Sequence, residues 1–107
     1  MLPVIPRERA HQDLEDILNY YDCQAGVVIA TDFIREFSLA QRQVSKYPKI
    51  GSTRLCEKAN LFYLRVWSLR KYQHQIFYRV ETDRVDVWRV LHSRRNVSNA
   101  SLHQNNT

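Results

Sequence analysis

Glycine is almost missing from this chain, with two in 107 residues, and neither sits in a run that builds a phosphate-cradling loop. That scarcity excludes the glycine-rich fingerprints of nucleotide-binding folds. The two cysteines, Cys23 and Cys56, have no CxxC spacing and no nearby histidine pair, so a zinc site lacks its ligand pattern. We expect reduced thiols and neither a metal nor a cofactor. No apolar run approaches the roughly 20 residues of a membrane span, and the first residues lack the charged-then-apolar order of a secretion signal. A cytoplasmic protein without membrane contact is the expectation. The four histidines, at 11, 74, 92 and 103, are scattered, and no nucleophilic triad is legible.

What is present is hydrophobic patterning and uneven charge. The hydrophobic content of 44% in a chain of this length supports one core and is too little for two. Residues 1 to 53 hold six Lys/Arg against seven Asp/Glu, whereas residues 54 to 107 hold ten against four. The second half is therefore attractive to a polyanion or an acidic protein.

Leu2 to Ile5, bounded by Pro3 and Pro6, predicts a short edge strand, because proline cannot donate to a sheet ladder. From Arg7 the apolar residues Ala10, Leu14, Ile17 and Tyr21 recur at helical spacing, up to a break near Asp22 to Gly26. A second stripe, Ile29, Phe33, Phe37, Ala40, Val44 and Tyr47, is stopped by Pro48 and Gly51. The two helices should form a hairpin around an aromatic core. Residues 49 to 60 show little periodicity and read as a connecting loop.

Beyond the loop the period becomes two. Phe62, Leu64 and Val66 alternate with Tyr63, Arg65 and Trp67, and Ile76, Tyr78 and Val80 alternate with Phe77 and Arg79. A last strand carries Val85, Val87, Arg89 and Leu91 on one face and Trp88 and Val90 on the other. We place Trp88 and Val90 against the helices, which puts Arg89 on the open face. Polar links at 68–73 and 81–84 join these strands as antiparallel hairpins without a turn glycine. The fold class is α+β: an N-terminal helical hairpin packed on a small antiparallel sheet with a short N-terminal edge strand. The domain runs from 1 to 97, and residues 98–107 form a polar tail too poor in apolar residues to be ordered. Asn-x-Ser/Thr triplets at Asn96, Asn99 and Asn105 read as chance in an Asn/Ser-rich segment.

The chemistry-bearing set is Arg65, Arg79, Arg89, His92, Arg94 and Arg95. Gathered by adjacent strands, guanidinium groups would bind phosphates bidentately and stabilise charge developing at a phosphodiester, with His92 moving a proton. Singly, Arg65 and Arg79 are better explained by a neighbouring carboxylate or aromatic ring, and His92 by a hydrogen bond that caps the last strand.

Element order and wording together point to a family. Ala10-x-x-Asp13-Leu14-Glu15-Asp16-Ile17, Phe33-Ile34 and Tyr47-Pro48-Lys49-Ile50-Gly51 stand in the helices and at their end. They are followed by Leu64-Arg65-Val66-Trp67, Ile76-Phe77-Tyr78-Arg79-Val80 and Arg89-Val90-Leu91-His92-Ser93-Arg94-Arg95-Asn96, the last two being the most specific. Over residues 3 to 97 the chain resembles the ParE branch of the RelE/ParE toxin superfamily, the toxic halves of bacterial type II toxin–antitoxin pairs. It departs at Ser68 and Lys71, where relatives often carry Pro and Gly, and at Arg95-Asn96, where an Arg-Asp ending is common.

The resemblance implies growth arrest, plasmid stabilisation and a cognate antitoxin. For the ParE branch it implies inhibition of DNA gyrase, and for the RelE branch ribosome-dependent cleavage of mRNA with a Tyr or His near the C-terminus. No Tyr follows Tyr78 here, which favours the gyrase inhibitor, a non-enzyme; His92 keeps the endoribonuclease alternative, with Arg65, Arg79 and Arg89 beside it. An inactive, antitoxin-binding relative is the third reading. For the gyrase reading the expected target-binding residues are Arg89, His92, Arg94 and Arg95, and the expected antitoxin anchors are Tyr63, Trp67 and Phe77.

Overall fold

Two helices that share one apolar stripe need a sheet to cover it, and the computed structural model provides one. It describes residues 1–61 and 63–94. Phe62, Arg95, the Asn-x-Ser/Thr triplets and the proposed tail at 98–107 lie outside the described residues.

Strand β1 is Val4–Pro6, helix α1 is Glu8–Ala25 and helix α2 is Val27–Lys46. A single 3-10 turn, Pro48–Ile50, leads to a five-residue helix α3, Arg54–Lys58, and then to β2 (Arg65–Ser68), β3 (His74–Val80) and β4 (Val85–His92). α1 continues through the expected break and stops only at Gly26, whose φ of +92° ends the helix and whose N–H donates to Tyr21 and Asp22 carbonyls at 3.0 and 3.2 Å. That left-handed backbone is where glycine is needed. α2 follows at once, so the hairpin turn is one residue long.

The sheet order is β1-β4-β3-β2. β2, β3 and β4 are antiparallel, whereas β1 runs parallel to β4, because the chain crosses over through both helices before it returns as β2. Pro6 sits on that outer strand, where a missing donor costs no ladder bond. Glu81 N–H bonds the Arg84 carbonyl at 2.8 Å and closes the β3–β4 hairpin without glycine.

The sheet is covered on both faces. Against α1 and α2 lie Ile76, Tyr78, Val85, Val87 and Val90, packed on Ala10, Phe33, Phe37, Ala40 and Val44. A smaller cluster on the other face joins Cys56, Leu61, Leu64, Val66, Phe77, Trp88 and Leu91. Val90 meets the helices as expected, but Trp88 does not. The ladder shifts between Phe77 and Tyr78, pairing Phe77 with Arg89 and Tyr78 with Val87, so Trp88 is the extra residue of a β-bulge. A bulge resets parity, which is why alternation along β4 misplaced its residues. Arg89, expected on the open face, is 1% exposed.

The segment read as a loop is partly helical. Leu55 and Cys56 of α3 pack on the smaller cluster, and five residues are too few to show a helical period in sequence. Gly51 holds the preceding turn against the sheet: its N–H donates to Tyr78 Oη at 2.9 Å, and Tyr78 Oη donates to the Pro48 carbonyl at 2.7 Å. A Cβ at Gly51 would stand 2.5 Å from that hydroxyl oxygen, so here glycine serves close approach.

Candidate functional site

The buried polar groups decide what the arginines do. Asp13, on the sheet side of α1, is 6% exposed and accepts from Arg89 Nε at 2.7 Å, Arg89 Nη2 at 3.0 Å and Val90 N–H at 3.0 Å. Arg9 Nη1 approaches the same carboxylate at 3.6 Å. A bidentate, fully desolvated pair of this kind fixes the register of α1 on β4. It leaves Arg89 no surface to offer a macromolecule, which corrects its expected place in a target-binding face.

Arg65 and Arg79 go to opposite faces. Arg65 pairs in register with Tyr78 and donates Nη1 to the carbonyls of Gly51 at 2.9 Å and Lys49 at 3.2 Å. Arg79, the next residue after Tyr78, places Nε 2.8 Å from Glu81 and lies 5.3 Å over the Tyr63 ring. That ring packs 5.6 Å from Trp88, which carries Arg7 at 4.0 Å on its indole and donates Nε1–H to Asp86 at 3.2 Å. Arg7 closes the stack with Asp86 at 3.0 Å. The guanidinium groups of Arg65, Arg79 and Arg89 are thus distributed and individually engaged. They do not form the cluster that phosphodiester chemistry asks for.

His92 ends the β3–β4 ladder opposite His74, with the rings 5.3 Å apart, and its Nδ1 accepts from Arg94 N–H at 3.1 Å. His92, Ser93 and Arg94 are exposed. His74 is buried among Phe33 and Tyr21, and its Nδ1 has no partner. Burial, and secondarily the His92 charge, pull its pKa down to about 4. It is a neutral core histidine at physiological pH.

Of the expected anchors, Tyr63 is 42% exposed, Trp67 is half-buried and Phe77 is fully buried. Phe77 is therefore core, its side chain on the covered face of β3, and the expectation of an exposed anchor is corrected. Trp67 lines a groove of about 810 Å³ between α2 and the outer strand β2, with Leu39, Ile50 and Leu69 supplying apolar walls. Glu36, 2% exposed, sits in the same groove and is capped by Arg70 at 3.0 Å. Among the described residues the outer edge of β2 pairs only at Val66, with Ser52. Sequence reading missed Leu39, Ile50 and Glu36. Leu39 lies off the main apolar stripe, and that position was the available signal.

The wall of the groove is pinned by Asp32, which accepts from Tyr72 Oη at 2.7 Å and pairs with Lys71 at 3.0 Å and with Arg35. These contacts, the Tyr72 hydrogen bond first, hold its carboxyl down to about 2, while burial and the same bond push Tyr72 up to about 12. Cys23 and Cys56 are both free thiols, and burial raises Cys56 to about 11. Among the described residues no three His, Cys, Asp or Glu side chains converge as a metal site, and no helix is long and apolar enough to cross a membrane.

A family model described as "ParE toxin of type II toxin-antitoxin system, parDE" matches residues 4–97. The chain belongs to the ParE toxin family. Toxin ParE1 of Caulobacter vibrioides is 34% identical over 96 residues, covering 90% of this chain and 94% of that protein. A solved chain titled "Chromosomal ParDE TA system from P. aeruginosa" matches the fold with a TM-score of 0.71 at 16% identity, covering 86% of this chain and 96% of the other. The helical hairpin on a mostly antiparallel sheet is thus shared, and this ParE family member keeps it with β1 as a parallel edge.

Proposed function

We propose that this ParE family member arrests bacterial growth by inhibiting DNA gyrase in the cytoplasm and is neutralised by a cognate antitoxin. One observation carries the choice of gyrase over mRNA: Arg65, Arg79 and Arg89, the arginines that a ribonuclease would need together, are held by carbonyls, by Glu81 and by Asp13 on different sides of the sheet. Acid–base chemistry needs its groups within hydrogen-bond reach of one reacting atom. An inhibitor that acts by contact needs only a complementary surface. The exposed end of β4, His92 and Arg94, continuing to Arg95 beyond the described residues, is where we place the gyrase contact.

The antitoxin is assigned to the groove between α2 and β2. Its apolar walls and the half-buried Trp67 suit an amphipathic segment whose aromatic or aliphatic anchors carry most of the affinity. Tyr63, on the opposite face beside Arg79, is a second contact for a segment long enough to wrap the β2 edge.

The test is a parallel assay of one purified preparation. Gyrase supercoiling should be blocked, or cleaved DNA should accumulate, and the product of the neighbouring small open reading frame should reverse the effect. Codon-positioned cuts in mRNA on translating ribosomes, with gyrase untouched, would instead establish the nuclease. Unchanged growth on forced expression, with antitoxin still bound, would mark an inactive relative.

A further inference from the structure

Charge in this molecule is segregated more sharply than its halves suggest. Between residues 37 and 80 nine Lys/Arg face one acid, Glu57, whereas residues 1 to 36 hold three Lys/Arg and seven Asp/Glu. Three of those nine are paired with a carboxylate: Arg70 with Glu36, Lys71 with Asp32 and Arg79 with Glu81. Arg42, Lys46, Lys49, Arg54, Lys58 and Arg65 have no carboxylate within ion-pair distance among the described residues. Glu57 itself accepts from the Thr53 hydroxyl.

These six cations follow one path over the surface. Arg42 and Lys46 lie one turn apart at the end of α2, Lys49 is in the 3-10 turn, and Arg54 and Lys58 lie one turn apart on α3. Arg65 Nη1 ties β2 to the carbonyls of Lys49 and Gly51, and Ser52 bridges to Val66. The path therefore wraps the β2 edge of the sheet, from the α2 face to the α3 face. Arg42, Lys46, Lys49, Arg54 and Lys58 are exposed.

We propose that this cationic rim docks the phosphate backbone of duplex DNA without reading its sequence. Lysines are depleted from protein–protein interface cores, whereas protein–DNA interfaces are polar and strongly positive. Single-stranded nucleic acid calls for several aromatic stacking platforms. Among the described residues of this stretch the exposed aromatics are Tyr47, at 54%, and Tyr63, at 42%, and each ring already carries a cation, Lys46 Nζ at 5.7 Å and Arg79 at 5.3 Å. The choice of DNA over RNA rests on the gyrase reading, since gyrase holds duplex DNA; the rim itself does not depend on that reading. A toxin that grips the duplex as well as the enzyme would favour a stalled ternary complex.

The experiment is fluorescence anisotropy of the purified full chain with a labelled 30-base-pair DNA duplex across a sodium chloride series. Log affinity should fall linearly with log salt, and each phosphate-contacting cation removed should lower the slope by about 0.9. Lys46→Gln, Lys49→Gln and Lys58→Gln combined should lower it by about 2–3 and weaken binding at least tenfold at 0.1 M salt. Arg35→Gln with Arg84→Gln, which remove two cations already paired with Asp32 and Asp83, should change affinity less than twofold. Thermal midpoints measured alongside separate folding from binding. An unchanged slope in the triple variant, tighter binding to an RNA duplex of equal length, or tighter binding to a poly-glutamate peptide would each overturn the proposal. Salt-dependent duplex binding without any effect on supercoiling would refute the gyrase reading and leave the rim standing.

Discussion

Two sets of cations in this molecule differ less in residue type than in company. Arg7, Arg9, Arg79 and Arg89, on or beside the sheet and α1, each stand within 3.6 Å of a carboxylate. Arg42, Lys46, Lys49, Arg54 and Lys58, along the α2–α3 rim, have none among the described residues. A strand arginine between aromatics looks functional in sequence, yet a buried partner converts it into a structural pin. The lysines that look like ordinary solubilising charge are the ones without a carboxylate partner among the described residues, and the proposed rim is built on them.

The comparison breaks most visibly at the buried pair. Arg89→Ala leaves Asp13 desolvated and uncompensated and should cost about 3–5 kcal/mol in urea unfolding. Replacing both, Arg89→Met with Asp13→Leu, should recover much of that loss, because two apolar groups leave no orphaned charge. Loss of growth arrest in the single variant is then expected to follow loss of fold, with circular dichroism as the check.

Acidification should act on the core and spare the rim. The folded state keeps His74 neutral down to about pH 4, whereas the unfolded chain protonates it near pH 6.5. Between those values the unfolded state binds more protons, so stability should fall as pH drops, by about 3 kcal/mol in all. His74→Phe should flatten that part of the stability–pH curve measured by denaturant midpoints. A smaller effect is expected at the turn beneath the rim. Gly51→Ala drives a methyl into Tyr78 Oη and should cost about 1–3 kcal/mol. The smallest is on the rim: Lys46→Gln or Lys58→Gln should stay within about 0.5 kcal/mol of wild type in thermal unfolding.

How much was legible follows the same division. Both helices, the order of the three C-terminal strands and the edge role of the first strand could be read, because α2 repeats its apolar stripe over five turns and β3 alternates cleanly. β4 could not, since a bulge at Trp88 shifts its parity and both faces are covered. α3 was hidden by its length. Of the residues expected at the surface, Tyr63 is exposed and Trp67 half-buried, whereas Phe77 and Arg89 were misplaced because the small cluster behind the sheet and the carboxylate of Asp13 come from distant segments. Asp13 belongs to the Ala10-x-x-Asp13-Leu14-Glu15-Asp16-Ile17 motif of α1. What sequence did not show is that it faces inward, 76 positions away from its partner.

The most direct measurement is a supercoiling-inhibition titration of two folded variants, with thermal midpoints matched to wild type. If pairing separates structural from functional cations, Arg79→Gln should inhibit gyrase within about twofold of wild type, whereas His92→Ala with Arg94→Ala should need at least tenfold more protein. The reverse order, with Arg79→Gln inert and the β4 end dispensable, would contradict the account.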